Sequence, residues 1–165
     1  MKNSHKKRLR KKTSPKYKYF NVSIDAIPIE DFTIANLPFK YCKLYCGDMG
    51  MVLNRRIHVK LSYLRNSTPD SEPTIVEFNI HKHFTWDGAS IPTFIQWLIG
   101  GKLNPSFIIA SLLHDYAIED NLLDHLPESH MFYVVLNTRR GMMDIPWYKE
   151  KAMFAGVYTW SLLGS

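Results

Sequence analysis

The hydrophobic period of the chain changes near residue 90, and this change restricts the fold more than any other feature of the sequence. Before that point apolar residues alternate with polar ones, most regularly over residues 51–64 and 74–84. Such alternation is typical of strands with one buried face. Beyond that point apolar residues recur at helical spacing, in segments that begin at proline or end at glycine. Strands followed by helices predict an α+β domain with an antiparallel sheet.

Four extended segments are expected before the change of period, and about four helices after it. The expected strands are residues 17–24, 39–46, 51–64 and 74–84, of which the last two are expected to pair as a hairpin. Residues 25–38 are expected to form a loop with a short turn, and residues 47–50 a turn. The expected helices are residues 93–99, 105–118, 128–140 and 146–163.

The size and composition of the chain fit one folded domain, expected over residues 17–165. Its 165 residues are 45% hydrophobic and 13% aromatic, which supplies one core. No segment approaches the roughly 20 apolar residues that span a bilayer. The basic first residues are not followed by the apolar segment of a secretion signal, so none is expected.

The positive charge of the chain is concentrated at its N-terminus. Residues 2–18 hold nine Lys or Arg and no acidic residue, which leaves 12 basic against 15 acidic groups in the remainder. A block of like charges repels itself and often binds polyanions. Residues 1–16 are therefore predicted to be a disordered arm. One interpretation is a tether to nucleic acid or an anionic surface, and the other is a solvated tail that aids solubility.

The two cysteines, Cys42 and Cys46, are not predicted to form a zinc site or a disulfide. Zinc sites usually combine two closely spaced pairs, and this chain has a single pair. Residues four apart in one strand are also too distant to be bridged. Two reduced, partly buried thiols are expected, as in a reducing compartment.

One face of the expected helix at residues 105–118 is polar, although the rest of the helix is apolar. Ser111, His114 and Asp115 are spaced at i, i+3 and i+4, which places them on that face. An unpaired buried carboxylate costs several kcal/mol, so the face must meet a partner, a metal ion or a cavity. Alternatively, Asp115 orients a neighbouring loop and His114 is a satisfied core histidine.

A second polar stretch, residues 84–92, connects the last strand to the first helix. Asp87 and Gly88 form a strong turn dipeptide, and Ser90 lies close to a helix opened by Pro92. A turn with a local cap explains these residues. The functional alternative makes Asp87 a metal ligand or general base and Ser90 a hydrogen-bonding group, with Trp86 lining the site. Ser90 lacks the glycine-flanked context of a hydrolase nucleophile.

An Asp-Gly-Ala-Ser-Ile-Pro turn lies at residues 87–92, and a later helix ends in His114-Asp115-Tyr116. Together these two motifs resemble the domain of unknown function 1353 family. The resemblance covers about residues 76–164. It implies a bacteriophage or prophage origin, with localisation in the host cytoplasm or the virion, and it implies a shared polar set rather than a reaction. That set is Asp87, Ser90, His114, Asp115 and Tyr116. Where the family usually has an aspartate in the next helix, this chain has Ser129 beside Glu128 and His130.

A weaker resemblance links the His114-Asp115 helix to the HD-type metal-dependent phosphohydrolases. Those enzymes also carry an upstream histidine and a later aspartate on helices. Here the upstream candidates are His81 and His83, which lie in an expected strand, and the later candidates are Asp124 and Asp144. The mismatch in element type argues against membership.

Two functional hypotheses follow. In the first, favoured one, the protein is a non-enzymatic virion component or host-directed binder, and Asp87, Ser90, His114 and Asp115 form a buried polar network. In the second it is a metal-dependent hydrolase of a phosphoester or cell-wall bond. Asp87, His114 and Asp115 would then hold zinc or manganese, which activates water. The fourth ligand would come from His81, His83, Glu128 or His130.

Overall fold

The structure is a computed structural model that describes residues 17–65, 72–89, 100–101, 103–104, 107–123, 130–136 and 146–163. Its described strands form two antiparallel sheets. Strands β1 (Tyr17–Ile24), β2 (Ile27–Pro28), β5 (Ile57–Arg65) and β6 (Thr74–Ile80) form the first, in the order β2-β1-β5-β6. Strands β3 (Phe39–Lys43), β4 (Met49–Leu53) and β7 (Thr85–Trp86) form the second, in the order β3-β4-β7. The expected α+β class, with antiparallel strands before helices, is confirmed.

The first sheet buries one face, as its alternating sequence predicts. Val22 lies opposite Leu61, and Val59 lies opposite Phe78. These four side chains are at most 6% exposed. The expected hairpin between the third and fourth strands is also confirmed, since β5 and β6 pair antiparallel over their length. The buried face belongs to one hydrophobic cluster that also includes residues of the second sheet and of the helices.

The expected single strand over residues 51–64 is wrong, because it is two strands in different sheets. Met51, Leu53 and Ile57 are all fully buried, but Arg55, which lies between them at the same spacing, is exposed. The polar residues 54–56 interrupt the ladder, and Arg55 pairs with Asp25 at 2.9 Å instead of joining a strand. The expected strand over residues 74–84 is also too long, because β6 ends at Ile80. After Ile80 the chain turns, and β7 then joins the second sheet.

Smaller corrections concern the loop and the turn. Residues 25–38 contain β2 and two short 3-10 helices, Ile29–Asp31 and Ile34–Asn36. Strand β3 ends at Lys43 rather than at residue 46. The turn falls at residues 45–47, and Met49 and Gly50 already belong to β4.

Three of the expected helices have described residues. They are α1 (Ile108–Glu119), α2 (residues 130–136) and α3 (Trp147–Leu163). Helix α1 begins three residues later than expected and ends one later, while the expected helix at residues 93–99 lies outside the described residues. Among the described residues, no helix is long and apolar enough to cross a membrane.

Tyr116 attaches α1 to the first sheet. Its hydroxyl donates to the backbone oxygen of Asn79 in β6 at 2.8 Å. Its ring stacks on Phe78 at 5.7 Å and meets the edge of Phe84 at 5.1 Å. These contacts hold the C-terminal half of α1 beside the end of β6 and the turn that leads into β7.

Candidate functional site

An open cleft of about 540 Å³ lies between the β3–β4 turn, strand β7 and the last turns of α1. Each wall comes from a different part of the sequence. The β3–β4 side contributes residues 43–46, β7 and its neighbours contribute residues 84–87, and α1 contributes Asp115 and Glu119. The cleft therefore exists only in the folded protein.

Three carboxyl groups from the described part of the chain line this cleft. Asp87 directly follows β7, at a turn in which Gly88 takes a φ of 93°, a conformation that favours glycine. Asp115 and Glu119 are four residues apart in α1 and so lie on the same face. Glu119 is exposed, Asp87 is half-buried, and the Asp115 side chain is 21% exposed. The cleft is thus acidic, with Lys43 as its basic residue among those described.

The environment of Asp115 favours its protonated form. Burial raises the pKa of its carboxyl group, and the neighbouring charges of Asp87 and Glu119 raise it further. The contact with His114 works in the opposite direction, but burial is the largest effect. Asp115 and Asp87 are therefore close enough to interact electrostatically as well as to share a cleft.

His114 lies behind Asp115, in the core. It is 4% exposed, and its Nδ1 is 3.3 Å from Asp115 Oδ1. The ring packs edge-on against Phe132 of α2, with 5.5 Å between the centroids. Its Nε2 is buried and has no hydrogen-bond partner among the described residues. In the tautomer with its proton on Nδ1, His114 donates to Asp115 and orients that carboxyl group.

The other expected site residues occupy varied positions. Ser90 lies outside the described residues. Ser111 is buried and donates to the backbone oxygen of Ile108 at 2.9 Å, a bond within its own helix. Trp86 lines the cleft as expected, is 3% exposed, and has a buried Nε1 without a partner among the described residues. Tyr116 belongs to the core contact with β6.

The candidate fourth ligands that the structure describes are scattered. His81 and His83 are exposed in the turn after β6, and His81 packs edge-on against Phe84 at 5.6 Å. His130 packs against Phe154 in α3, and burial lowers its pKa. Glu128 lies outside the described residues, as do Asp124 and Asp144, the candidates for the later aspartate of the HD-type enzymes. Within the described part of the chain, no three His, Cys, Asp or Glu residues are grouped closely enough to hold a metal ion.

Several cleft residues are not predicted by the sequence patterns. Glu119 carried a usable signal, because it follows Asp115 by four residues on the same helix. Tyr45 and Cys46 carried none, since only the β3–β4 turn brings them to the cleft. Both cysteines are free, but Cys46 is exposed rather than partly buried. It also lies in a turn and not in the expected strand.

The fold and the cleft define a small α+β protein whose carboxylate-lined site lies between the turn after β7 and a buried helix. The family model of the proteins of unknown function DUF1353 matches residues 64–157, more than half of the chain, and the chain belongs to this family. The match begins and ends earlier than the expected residues 76–164, and it contains both Asp87 and Asp115. No curated protein and no solved structure matches the chain.

Proposed function

We propose that the cleft is the active site of a hydrolase that works by acid–base catalysis, with Asp115 as the acid and Asp87 as the base. The observation that supports this most is the pairing of these carboxyl groups in an open cleft, where burial raises the pKa of Asp115. A carboxyl group of this kind keeps its proton nearer to neutral pH and can give it to a leaving group. A purely structural network needs no such opening to solvent.

Each residue has a separate task in this reaction. Asp115 gives its proton to the leaving atom as the bond to it breaks. Asp87 takes a proton from the water that attacks the other side of the bond, and solvent exchange later restores both groups. His114 is a positioning residue, because it contacts Asp115 from the buried side and is not among the residues that line the cleft.

The metal-dependent form of this hydrolase stays a prediction. Zinc or manganese would be held by Asp87, His114 and Asp115, which are ligand types that suit these ions. The described residues do not supply three ligands in one group. We therefore assign no step of the reaction to a metal ion.

A non-enzymatic role is the second candidate, and the burial of the polar face of α1 favours it. Ser111 and Tyr116 both donate hydrogen bonds to backbone oxygens, and His114 is buried against Phe132. The Tyr116 bond joins α1 to β6 and the His114 contact joins it to α2, while the Ser111 bond stays within α1. In this case Asp87 and Asp115 belong to a polar network that fixes the turn after β7 on the helix, and the protein acts as a virion component or a host-directed binder.

We further propose that the protein comes from a phage or prophage and acts in the host cytoplasm or the virion. The family resemblance supports this setting. The basic N-terminal residues support a contact with nucleic acid, an anionic surface or a phage or host protein, since nine positive charges are clustered there. Mass spectrometry of purified virions and of infected-cell lysate distinguishes the two locations.

The hydrolase is tested with the full-length protein on two substrates, purified cell-wall sacculi and bis(4-nitrophenyl) phosphate, each with and without EDTA. Asp87→Asn and Asp115→Asn should each lower the rate by about 10²- to 10⁴-fold. Glu77→Gln is the matched control, because Glu77 is an exposed carboxylate in the first sheet that pairs with Lys60 at 2.7 Å. It should leave the rate unchanged.

Three results would change the assignment. Full activity in both cleft variants would reject the proposed acid and base. Activity that EDTA abolishes and zinc or manganese restores would establish the metal-dependent form. A wild-type protein that is inactive on both substrates, together with a lower melting temperature in Asp115→Ala, would favour the non-enzymatic role.

A further inference from the structure

We propose that the cleft binds an uncharged sugar chain, with Tyr45 as the surface on which a sugar ring stacks. This inference rests on the proposed hydrolase and selects a glycosidic bond from the substrates left open above. Tyr45 is fully exposed to solvent at the edge of the cleft. It is thus an aromatic ring available to a ligand beside two carboxyl groups that can carry out the chemistry.

The charge of the cleft argues against a phosphoester. Among the residues that the structure describes, Asp87, Asp115 and Glu119 line it together with one basic side chain, that of Lys43. An anionic phosphate would approach carboxylates without enough positive charge to offset the repulsion. Sugar hydroxyls, in contrast, can donate hydrogen bonds to carboxylate oxygens, which only accept them when ionised.

One exposed aromatic ring of the cleft can take the face of a sugar ring. Phe84 and Trp86 also line the cleft but are each 3% exposed, so among the described lining residues the aromatic ring open to a ligand is that of Tyr45. Tyr45 belongs to the β3–β4 side of the cleft. The C–H face of a sugar ring can pack on an aromatic face, while its hydroxyls at the rim reach the carboxyl groups.

The turn that carries Tyr45 is held in place before any ligand binds. The Leu44 amide donates to the Asp48 oxygen at 2.8 Å, and the Gly47 amide donates to the Leu44 oxygen at 2.9 Å. Gly47 has a φ of 89°, which suits glycine. Leu44 folds over Gly50, where an added Cβ would lie 2.6 Å from Leu44 Cγ. A pre-formed turn avoids part of the ordering cost of binding.

The reaction on a sugar chain is balanced without a further reactant. The water oxygen forms a bond to the anomeric carbon, and the bond from that carbon to the glycosidic oxygen breaks. The proton of Asp115 goes to the glycosidic oxygen, and a proton of the water goes to Asp87. The products are two shorter sugar chains, each ending in a hydroxyl group.

Binding is measured by calorimetry on the full chain with the β-1,4-linked tetramer of N-acetylglucosamine. Asp115→Asn is used so that hydrolysis does not consume the probe. In that background Tyr45→Ala should weaken binding of the tetramer about tenfold. Tyr45→Phe keeps the aromatic ring and should keep the affinity of the parent protein. Tyr41→Ala is the matched control, because Tyr41 is a half-exposed aromatic in β3 and is not among the cleft-lining residues.

The outcomes separate this inference from the proposed hydrolase. Binding that depends on Tyr45, without sugar products from the wild-type protein, supports the sugar site and rejects the hydrolase. Hydrolysis of bis(4-nitrophenyl) phosphate that depends on Asp87, without binding of the tetramer, keeps the hydrolase and overturns the sugar site. Binding that Tyr45→Ala leaves unchanged also overturns it.

Discussion

The proposed catalytic role of Asp115 conflicts with the folding stability of the protein. The proposed acid must lie in a partly closed site, yet burial makes its ionised form unfavourable. The single described contact that opposes this effect is with His114, at 3.3 Å. At the scale of one residue, the burial that raises the pKa of Asp115 therefore lowers the stability of its ionised form in the fold.

We expect Asp115→Asn to make the folding stability less dependent on pH. Because the folded pKa of Asp115 lies above its unfolded value, the native state binds more protons between the two values. Stability therefore falls as pH rises through that window, by at most about 1.4 kcal/mol per pH unit. The free energy of unfolding of Asp115→Asn, relative to that of the wild type, should therefore increase as pH rises from about 4. Urea denaturation at a series of pH values measures this difference.

Glu77→Gln is the control of opposite sign for this measurement. The hydrogen bond and charge of Lys60 lower the pKa of Glu77, so its contribution to stability is present above its unfolded pKa and is lost as pH falls. A stability gap between wild type and Asp115→Asn that stays constant over the whole series would contradict the raised pKa of Asp115.

We expect Tyr116→Phe to destabilise the protein by about 0.5–1.5 kcal/mol. The variant keeps the ring contacts with Phe78 and Phe84 but removes the donor to the Asn79 oxygen at 2.8 Å. Burial is the main reason that the pKa of Tyr116 rises to about 12, so the hydroxyl keeps its proton and donates at neutral pH. Chemical denaturation of the variant measures the loss. An unchanged midpoint would mean that this bond does not hold α1 to β6.

At the scale of elements, the turn between β3 and β4 determines one wall of the cleft. Strands β3 and β4 pair from Phe39 and Leu53 to Lys43 and Met49, which brings residues 44–47 to the end of the hairpin. The register is fixed because Met51 and Leu53 are fully buried on one face. The position of Tyr45 therefore depends on a strand pairing and on the packing of Leu44 over Gly50.

We expect Gly50→Ala to destabilise the protein by roughly 1–3 kcal/mol and to weaken binding at the cleft, because the new methyl group displaces Leu44. Thermal unfolding and the calorimetric assay measure the two effects. Gly101→Ala is the matched control, since a Cβ at that position meets nothing within 4 Å. The double variant with Leu44→Ala should recover part of the stability. No recovery would show that the strain arises elsewhere.

At the scale of the whole molecule, charge is divided between the basic N-terminal residues and a mildly acidic remainder. We expect a variant without residues 1–16 to elute from heparin at lower salt and to bind nucleic acid with a weaker salt dependence. The slope should fall by up to about one unit for each phosphate contact that is lost. Equal retention of the two proteins would contradict the proposed tether and leave a role in solubility.

Much of the fold could be predicted because alternation and helical spacing are local properties of the chain. The pairing of β5 with β6 and the buried helix α1 both follow from their own residues. The break within residues 51–64 has a local signal, the polar residues 54–56, but the division of the two strands between two sheets could not be predicted. Which sheet a strand joins depends on partners that are distant in sequence, such as β7 for β4.

The candidate site divides in the same way. The sequence alone determined that Asp115 and His114 share one face of an apolar helix and that Asp87 follows a strand in a turn, because these are consequences of spacing and of turn chemistry. Only the tertiary structure decided that Asp87 and Asp115 face a common open cleft while His114 is buried behind them. The same structure added Tyr45 from a distant hairpin. The physical reason is that exposure and electrostatic coupling depend on the packing of separate elements, and local periodicity carries no information about that packing.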